Sequence, residues 1–344
     1  MINNHLVVMA GGIGSRFWPI SSPELPKQFL DILGTGKTLI QMTVERFKGV
    51  VPSENVWVVT AAEYKDIVAE QLPDIPAENI LLEPCRRNTA PCICYACWKI
   101  KKRNPRANVV VAPSDHLIAD IPAFREAVKD VMEFSAETDA IVTLGIRPSH
   151  AETGYGYISS SRKKNIFRVD AFKEKPIKEV AEVYIKQPNY LWNSGIFIWS
   201  VSTIINAFRV YQPEMSRLFE RLLPYYDTQQ EQSMINQEFP KCENISVDYA
   251  ILEKAEEIFV YPATFGWSDL GTWGSLRLQV KQDQYNNAAI GDNVELYDTH
   301  NSIIHTTQLK KVVVQGLDGY IVAEKDGTLL ICKLSEEQRI KLFH

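Results

Sequence analysis

The chain has 344 residues, 45% of them hydrophobic and 23% charged, which is the balance of an ordinary globular protein of one large domain or two. A formal net charge of −5 excludes a nucleic-acid binder built on a broad basic face, while leaving room for local basic spots that hold phosphates. No apolar run approaches the ~18–20 residues of a membrane span, and Met1-Ile-Asn-Asn-His5 leads straight into a strand, so no signal peptide is expected.

Leu6–Met9 reads as a short buried strand. It runs into a loop carrying Gly11, Gly12 and Gly14, with Arg16 and Lys27 beyond it. Glycines let a backbone turn tightly and bring its N–H groups to an anion, and the two cations add full charge. The segment therefore reads as a cradle for a triphosphate. The dinucleotide fingerprint fails here, because Phe17 stands where its third glycine belongs, and Pro19 disfavours a long helix from Gly14. Gly34-Thr-Gly-Lys-Thr38 is no Walker loop either, since Asp31 holds the place of the first glycine; it reads as a plain turn before a helix.

Val56–Thr60, Asn108–Ala112 and Ala140–Gly145 are further β-branched, nearly continuous apolar runs. Helical patterns at Thr38–Phe47, Ala62–Gln71, Ala90–Lys102 and Ala123–Glu133 lie between the strands. Such alternation predicts an α/β, Rossmann-like, mostly parallel sheet with helices on both faces and ligands beyond the carboxyl ends of its strands. Cys92, Cys94 and Cys97 share one predicted helix with no histidine close by, so they read as small core residues rather than metal ligands. Free thiols fit a reducing, cytoplasmic setting.

Several loops carry candidate chemistry. In Glu83-Pro-Cys-Arg-Arg-Asn-Thr-Ala-Pro91, Asn88 and Thr89 suit either a purine edge or the cap of the next helix. Asp115 lies just past a buried strand in Val109-Val-Val-Ala-Pro-Ser-Asp-His116, a natural place for a Mg²⁺ ligand or for a turn-forming Asp. Ala151-Glu-Thr-Gly-Tyr-Gly-Tyr157 sets Glu152 beside two glycines, and Trp192-Asn-Ser-Gly-Ile-Phe197 supplies Asn193; each offers a polar group to a ligand hydroxyl or is a glycine-containing turn. Phe172-Lys-Glu-Lys-Pro176 carries Lys175, a compact charge for a phosphate or one member of a solvated charge run. Asp248, in Ser246-Val-Asp-Tyr-Ala-Ile-Leu-Glu-Lys254, reads as a helix start or as a residue that orients the site. Phe265-Gly-Trp-Ser-Asp-Leu-Gly-Thr-Trp273 supplies a second acid, Asp269, able to converge with Asp115 on one cation and the phosphates. From about Asn286, short alternating segments separated by Gly-Leu-Asp-Gly and Lys-Asp-Gly turns predict a small β domain, followed by a short helix from Ser335.

The run from Met9 to Phe29 resembles the signature of sugar-1-phosphate nucleotidyltransferases, and Trp18-Pro19 with Pro26-Lys-Gln-Phe29 is similar to their mannose-specific, GTP-using branch. Seven ordered blocks over residues 5–275 carry the resemblance. Ser15, Phe17 and Ser22 stand where that branch usually has Thr, Leu and Arg, and Ala151 where it has Pro. The resemblance implies a GT-A-like catalytic domain over 1–284 and a small left-handed β-helix-like domain over 285–344, used in packing or oligomerisation as a homodimer or higher homo-oligomer. It implies that α-D-mannose 1-phosphate and GTP give GDP-mannose and diphosphate with Mg²⁺, without nucleic acid or membrane. Arg16, Lys27, Asp115 and Asp269 would be catalytic, the two acids holding the metal. Ala10, Gly11, Gly12, Gly14, Ser15, Arg16, Lys27, Glu83, Asn88, Thr89, Ser114 and Asp115 would bind the nucleotide. Glu152, Gly154, Tyr155, Gly156, Glu174, Lys175 and Asn193 would bind the sugar phosphate. His116 is expected to be structural or to support a neighbouring ligand. The alternatives are transfer with another base or sugar, and a non-catalytic regulator that binds GDP-mannose. Isomerase activity is not expected.

Overall fold

The computed structural model describes residues 2–160, 166–308 and 311–343. By contact the chain forms two compact units. The first comprises Met1–Gly11, Thr43–Ser114 and Ile118–Trp267, and the second Gly12–Met42, Asp115–Leu117 and Ser268–His344.

A nine-stranded sheet organises the first unit. From one edge its strands run Ile80–Glu83, Val56–Ala61, Asn4–Ala10, Asn108–Pro113, Tyr190–Ser200, Ile141–Ile146, Ile258–Ala263, Phe167–Lys173 and Tyr157–Ser160. The first four are parallel, as the apolar runs predict. The sheet as a whole is mixed, with Tyr190–Ser200 and Phe167–Lys173 running against the other seven strands. Tyr190–Ser200 runs antiparallel to both its neighbours, and the last two strands are antiparallel as well. The Trp192–Phe197 segment, for which a turn was the alternative reading, lies in the middle of that 11-residue strand. Gly195 sits there at φ 72°, so the glycine marks a local irregularity inside a strand instead of its end.

The helices Leu39–Arg46, Lys65–Gln71, Thr89–Arg103 and Ile121–Glu137 fall where the periodicity predicts them. Thr89–Arg103 is buried along most of its length because Ala, Cys, Tyr and Trp line every side of it. Cys92, Cys94 and Cys97 pack there as free thiols among Val7, Trp57 and Phe208, and burial pushes the Cys97 thiol up to about 12. No helix among the described residues is long and apolar enough to cross a membrane.

In the second unit Ala288–Ile290, Ile303–Thr306 and Tyr320–Lys325 form a parallel ladder, with Thr328–Lys333 antiparallel at its edge. Val294–Tyr297 and Val312–Gln315 pair in parallel as a second sheet. The chain thus passes between two parallel ladders, with Ile304, Val314 and Val322 packed together. The terminal helix is of the tighter 3-10 type, Leu334–Leu342. The glycine-loop segment belongs to this unit's core: Phe17, Ile20, Ile32 and Leu39 pack with Leu270, Trp273, Ile290 and Ile321. Lys325 Nζ donates to the Ile20 carbonyl at 2.7 Å, and His305 Nε2 lies 3.2 Å from that of Ile32.

Candidate active site

In the second unit the glycine loop closes on a buried lysine. Gly14 takes φ 63°, and a Cβ there would stand 2.9 Å from the Lys27 amide nitrogen, so a larger residue would force the loop open. Ser21 donates its hydroxyl to the Gly14 carbonyl, and Gln28 Nε2 donates to the Gly12 carbonyl at 2.8 Å. Ser15–Phe17 forms a single 3-10 turn that leaves Arg16 exposed and Phe17 in the core; the side chain of Ser15 lies outside what the structure describes. Arg16 Nη1 donates to the Gly271 carbonyl at 3.4 Å.

Lys27 is a hub. Its Nζ donates to the carbonyls of Asp269 at 2.8 Å and Leu270 at 2.9 Å, and it lies 3.2 Å from Asp115 Oδ2. An ammonium has three donors, so every one of them has an acceptor here. Leu270 takes φ 45°, which bends the chain at these two carbonyls, and Asp269 Oδ1 accepts from the Gly271 N–H at 3.0 Å. Burial alone raises the Asp115 pKa, but the Lys27 ammonium and then His116, whose Nε2 is 3.9 Å away, hold it below the usual carboxylate range. Gly14, Arg16, Lys27, Asp115, His116 and Asp269 line one cavity of about 260 Å³. Two carboxylates and two cations in so small a space can bind a polyphosphate and a hard cation together.

In the first unit Glu83 ends the strand Ile80–Glu83, beside Gly11, where an added Cβ would lie 3.5 Å from Glu83 Oε2. Its residue is only 6% exposed and its Oε1 has no hydrogen-bond partner among the described residues. Burial pushes its pKa up to about 8, against the pull of Arg86. Ala10 gives its carbonyl to the Thr60 hydroxyl, and Ser114, buried, donates its N–H to Met9 and accepts from Thr43. Asn88 Oδ1 caps the following helix through the Thr89 N–H at 2.9 Å, and Thr89 Oγ1 accepts from the Val247 N–H at 2.9 Å. Arg87 Nη2 donates to the Pro240 carbonyl at 2.6 Å, a structural tie.

The residues expected to read a sugar phosphate also gather in this unit. A Cβ on Gly156 would meet Glu174 Oε2 at 2.5 Å, so only glycine lets that buried carboxylate lie against the backbone. Lys175 Nζ is 3.2 Å from Glu174 Oε1, and its backbone sits at φ 46° with its N–H on the Tyr155 carbonyl. Asn193 is 9% exposed and donates its N–H to the Gly156 carbonyl at 2.8 Å. Glu152 Oε1 accepts from the Gly154 N–H at 2.8 Å, and Tyr155 packs edge-on against Trp192 and Trp267. Sequence reasoning missed one member of this group, Thr143, and named Asp248 only as a helix start or a residue that orients the site. Asp248 accepts from Asn193 Nδ2 at 2.9 Å, and the Thr143 hydroxyl donates to Asn193 Oδ1 at 2.9 Å. Burial, then the Glu174 carboxylate, push Asp248 up to about 7. Thr143 carries no signal in the sequence beyond being the polar residue of an apolar strand.

Residues 5–285 match the family described as nucleotidyl transferase. A mannose-1-phosphate guanylyltransferase of Escherichia coli K12 is 36% identical, over 96% of this chain and 72% of its own length. Mannose-1-phosphate guanylyltransferase 2 of Escherichia coli O157:H7 is also 36% identical, over 97% of this chain and 71% of its own. A solved structure from Thermus thermophilus, described as a mannose-1-phosphate geranyltransferase, is 30% identical with a TM-score of 0.90, and the match covers 99% of this chain and 98% of that one. With the family matching most of its length, the chain belongs to the nucleotidyl transferases.

Proposed function

We propose that this protein is a GTP-dependent mannose-1-phosphate guanylyltransferase that converts α-D-mannose 1-phosphate and GTP to GDP-mannose and diphosphate. The observation that carries the reaction type is the Lys27 hub, which collects Arg16, Asp115 and Asp269 around one cavity. A phosphate oxygen of the sugar phosphate attacks the α-phosphorus of GTP in line, and diphosphate leaves opposite. The nucleophile is already an anion, so the protein supplies alignment and charge neutralisation instead of a general base. Arg16 and Lys27 neutralise the triphosphate and the leaving group. Of the three acceptors on Lys27, only the Asp115 carboxylate is a side chain able to swing away when phosphate arrives.

Asp115 and Asp269 would hold Mg²⁺, and an all-oxygen pair of carboxylates beside a phosphate cradle fits that hard cation. Bound there, the ion would supply charge to the phosphate oxygens. Ala10, Gly11, Gly12, Gly14, Ser15, Asn88, Thr89 and Ser114 belong to the nucleotide side by this reading. Base choice rests on Glu83: its unpartnered buried Oε1 suits the N1–H and N2 amine of guanine, a donor pair that adenine does not offer. Glu152, Gly154, Tyr155, Gly156, Glu174, Lys175 and Asn193 take the sugar phosphate, Lys175 holding its phosphate. We assign 285–344 as a β-helix-like domain, on the strength of its two parallel ladders, and 1–284 as the catalytic domain. Exposed Tyr297, Val313, Leu329 and Ile331 favour a homodimer or higher homo-oligomer, and unpaired thiols favour the cytoplasm.

The test is diphosphate release with Mg²⁺, crossing GTP, ATP, UTP, CTP and dTTP with mannose, glucose and N-acetylglucosamine 1-phosphates. Release dominated by GTP with mannose 1-phosphate supports the proposal. Dominance of another pair reassigns Glu83 and the sugar contacts, and release from none, with GDP-mannose still bound, makes the protein a regulator.

A further inference from the structure

The Asn193 amide is gripped from both ends. Its Oδ1 accepts from the Gly195 N–H at 3.3 Å and lies 2.9 Å from the Thr143 hydroxyl, whose single hydrogen it shares with the Ile196 carbonyl at 3.1 Å. The Gly195 N–H on one end and the Asp248 carboxylate on the other set the amide's orientation, with Nδ2 towards Asp248. There it donates one hydrogen to Asp248 Oδ1 at 2.9 Å and keeps one hydrogen for a ligand. Asp248 opens a π-helical turn, Asp248–Leu252, closed by the Glu253 N–H on the Asp248 carbonyl at 2.9 Å. Single π turns are concentrated at functional sites because they re-aim one side chain within a helix.

The lead-in to this turn is fixed independently of Asn193. The Val247 N–H donates to Thr89 Oγ1 at 2.9 Å, and the Ala90 N–H donates to the Ile245 carbonyl at 3.1 Å. Asp248 is thus anchored to the start of the helix Thr89–Arg103, and it orients Asn193 instead of following it. Resting on the functional reading above, we propose that Asp248 is a positioning residue: by aiming the Asn193 amide it sets the affinity for the sugar 1-phosphate without touching the substrate. Lys175 and Glu174 stand beside it as a charge pair and do not replace this orientation.

The experiment is steady-state kinetics and sugar-phosphate calorimetry on wild type, Asp248→Ala, Asp248→Asn and Thr143→Val. Asp248→Ala is expected to raise KM and Kd for mannose 1-phosphate about tenfold, the worth of one hydrogen bond, with KM for GTP unchanged. Asp248→Asn keeps an oxygen able to accept from Asn193 and is expected to restore binding to within about threefold of wild type. Thr143→Val removes the grip on the opposite end and is expected to shift the sugar-phosphate KM in the same direction, which keeps the test alive if Asp248→Ala does not fold. An unchanged sugar-phosphate KM, equal effects on both substrates, or an Asn variant as impaired as the Ala variant overturns the inference. A wild type that does not turn over mannose 1-phosphate overturns the functional reading itself, and this inference with it.

Discussion

Replacing Lys27 by methionine keeps the length and apolar stem of the side chain and removes its charge. Three acceptors then lose their donor: the carbonyls of Asp269 and Leu270 and the carboxylate of Asp115. Leaving a buried acceptor unmet costs about 1–3 kcal/mol, and breaking a buried ion pair about 3–5 kcal/mol. The Lys27 side chain is 9% exposed but that of Asp115 is 24% exposed, so water recovers part of the lost interaction. The lower figures apply, and the expected loss of stability is about 3–5 kcal/mol. The pH dependence has a definite sign. Lys27 helps to hold Asp115 below its usual pKa, so the pair's contribution is full above the ordinary carboxylate value and fades as pH falls through the depressed one. Urea unfolding of both proteins, at pH 7 and at the lowest pH where wild type stays folded, measures this. The gap should narrow on acidification. A loss under about 1 kcal/mol at pH 7, below what even one unmet buried acceptor costs, or a gap that widens in acid, would refute the view of Lys27 as a structural hub.

Three further outcomes are expected. Glu83 is raised to about 8, so between its unfolded pKa near 4.5 and that value the unfolded chain ionises first and stability declines with rising pH; Glu83→Gln should flatten that decline in urea unfolding between pH 5 and 8 and weaken the preference for GTP over ATP. Gly156→Ala would set a Cβ 2.5 Å from Glu174 Oε2 and should raise KM for mannose 1-phosphate about tenfold at constant KM for GTP, a shift equivalent to roughly 1.4 kcal/mol; equal changes in both would remove Glu174 from the sugar subsite. Asp269→Asn keeps an oxygen for the Gly271 N–H while deleting the charge, so it should lower kcat by about a hundredfold or more with an unchanged melting temperature, and wild-type turnover would end its assignment as a metal ligand.

The parallel half of the sheet was legible because Val56–Ala61 and Asn108–Pro113 are buried on both faces and so read as unbroken apolar runs. The antiparallel strand Tyr190–Ser200 was not, because Asn193, Ser194 and Gly195 interrupt its apolar pattern. The hub residues could be named from their motifs, since glycine, arginine, lysine and aspartate at loop positions each imply a small set of roles. What no motif conveys is saturation: that Lys27 spends all three donors within the protein depends on Leu270 bending at φ 45°, a conformation the sequence does not advertise. What Asp248 orients was not legible, because an acid at a helix start is commonplace and its partner Asn193 lies 55 residues away.

The second unit joins residues on either side of a long detour. Phe17, Ile20, Ile32 and Leu39 find their packing partners only from Leu270 onward. During synthesis at ~5–20 residues per second, the roughly 230 residues between Leu39 and Leu270 take about 10–50 s to appear. Throughout that interval the glycine loop has no core to fold against and Lys27 has no carbonyls to grip. A nascent or prematurely terminated chain is therefore expected to lack the closed glycine loop and the buried Lys27, so that this arrangement is acquired late in translation and reports on near-complete synthesis.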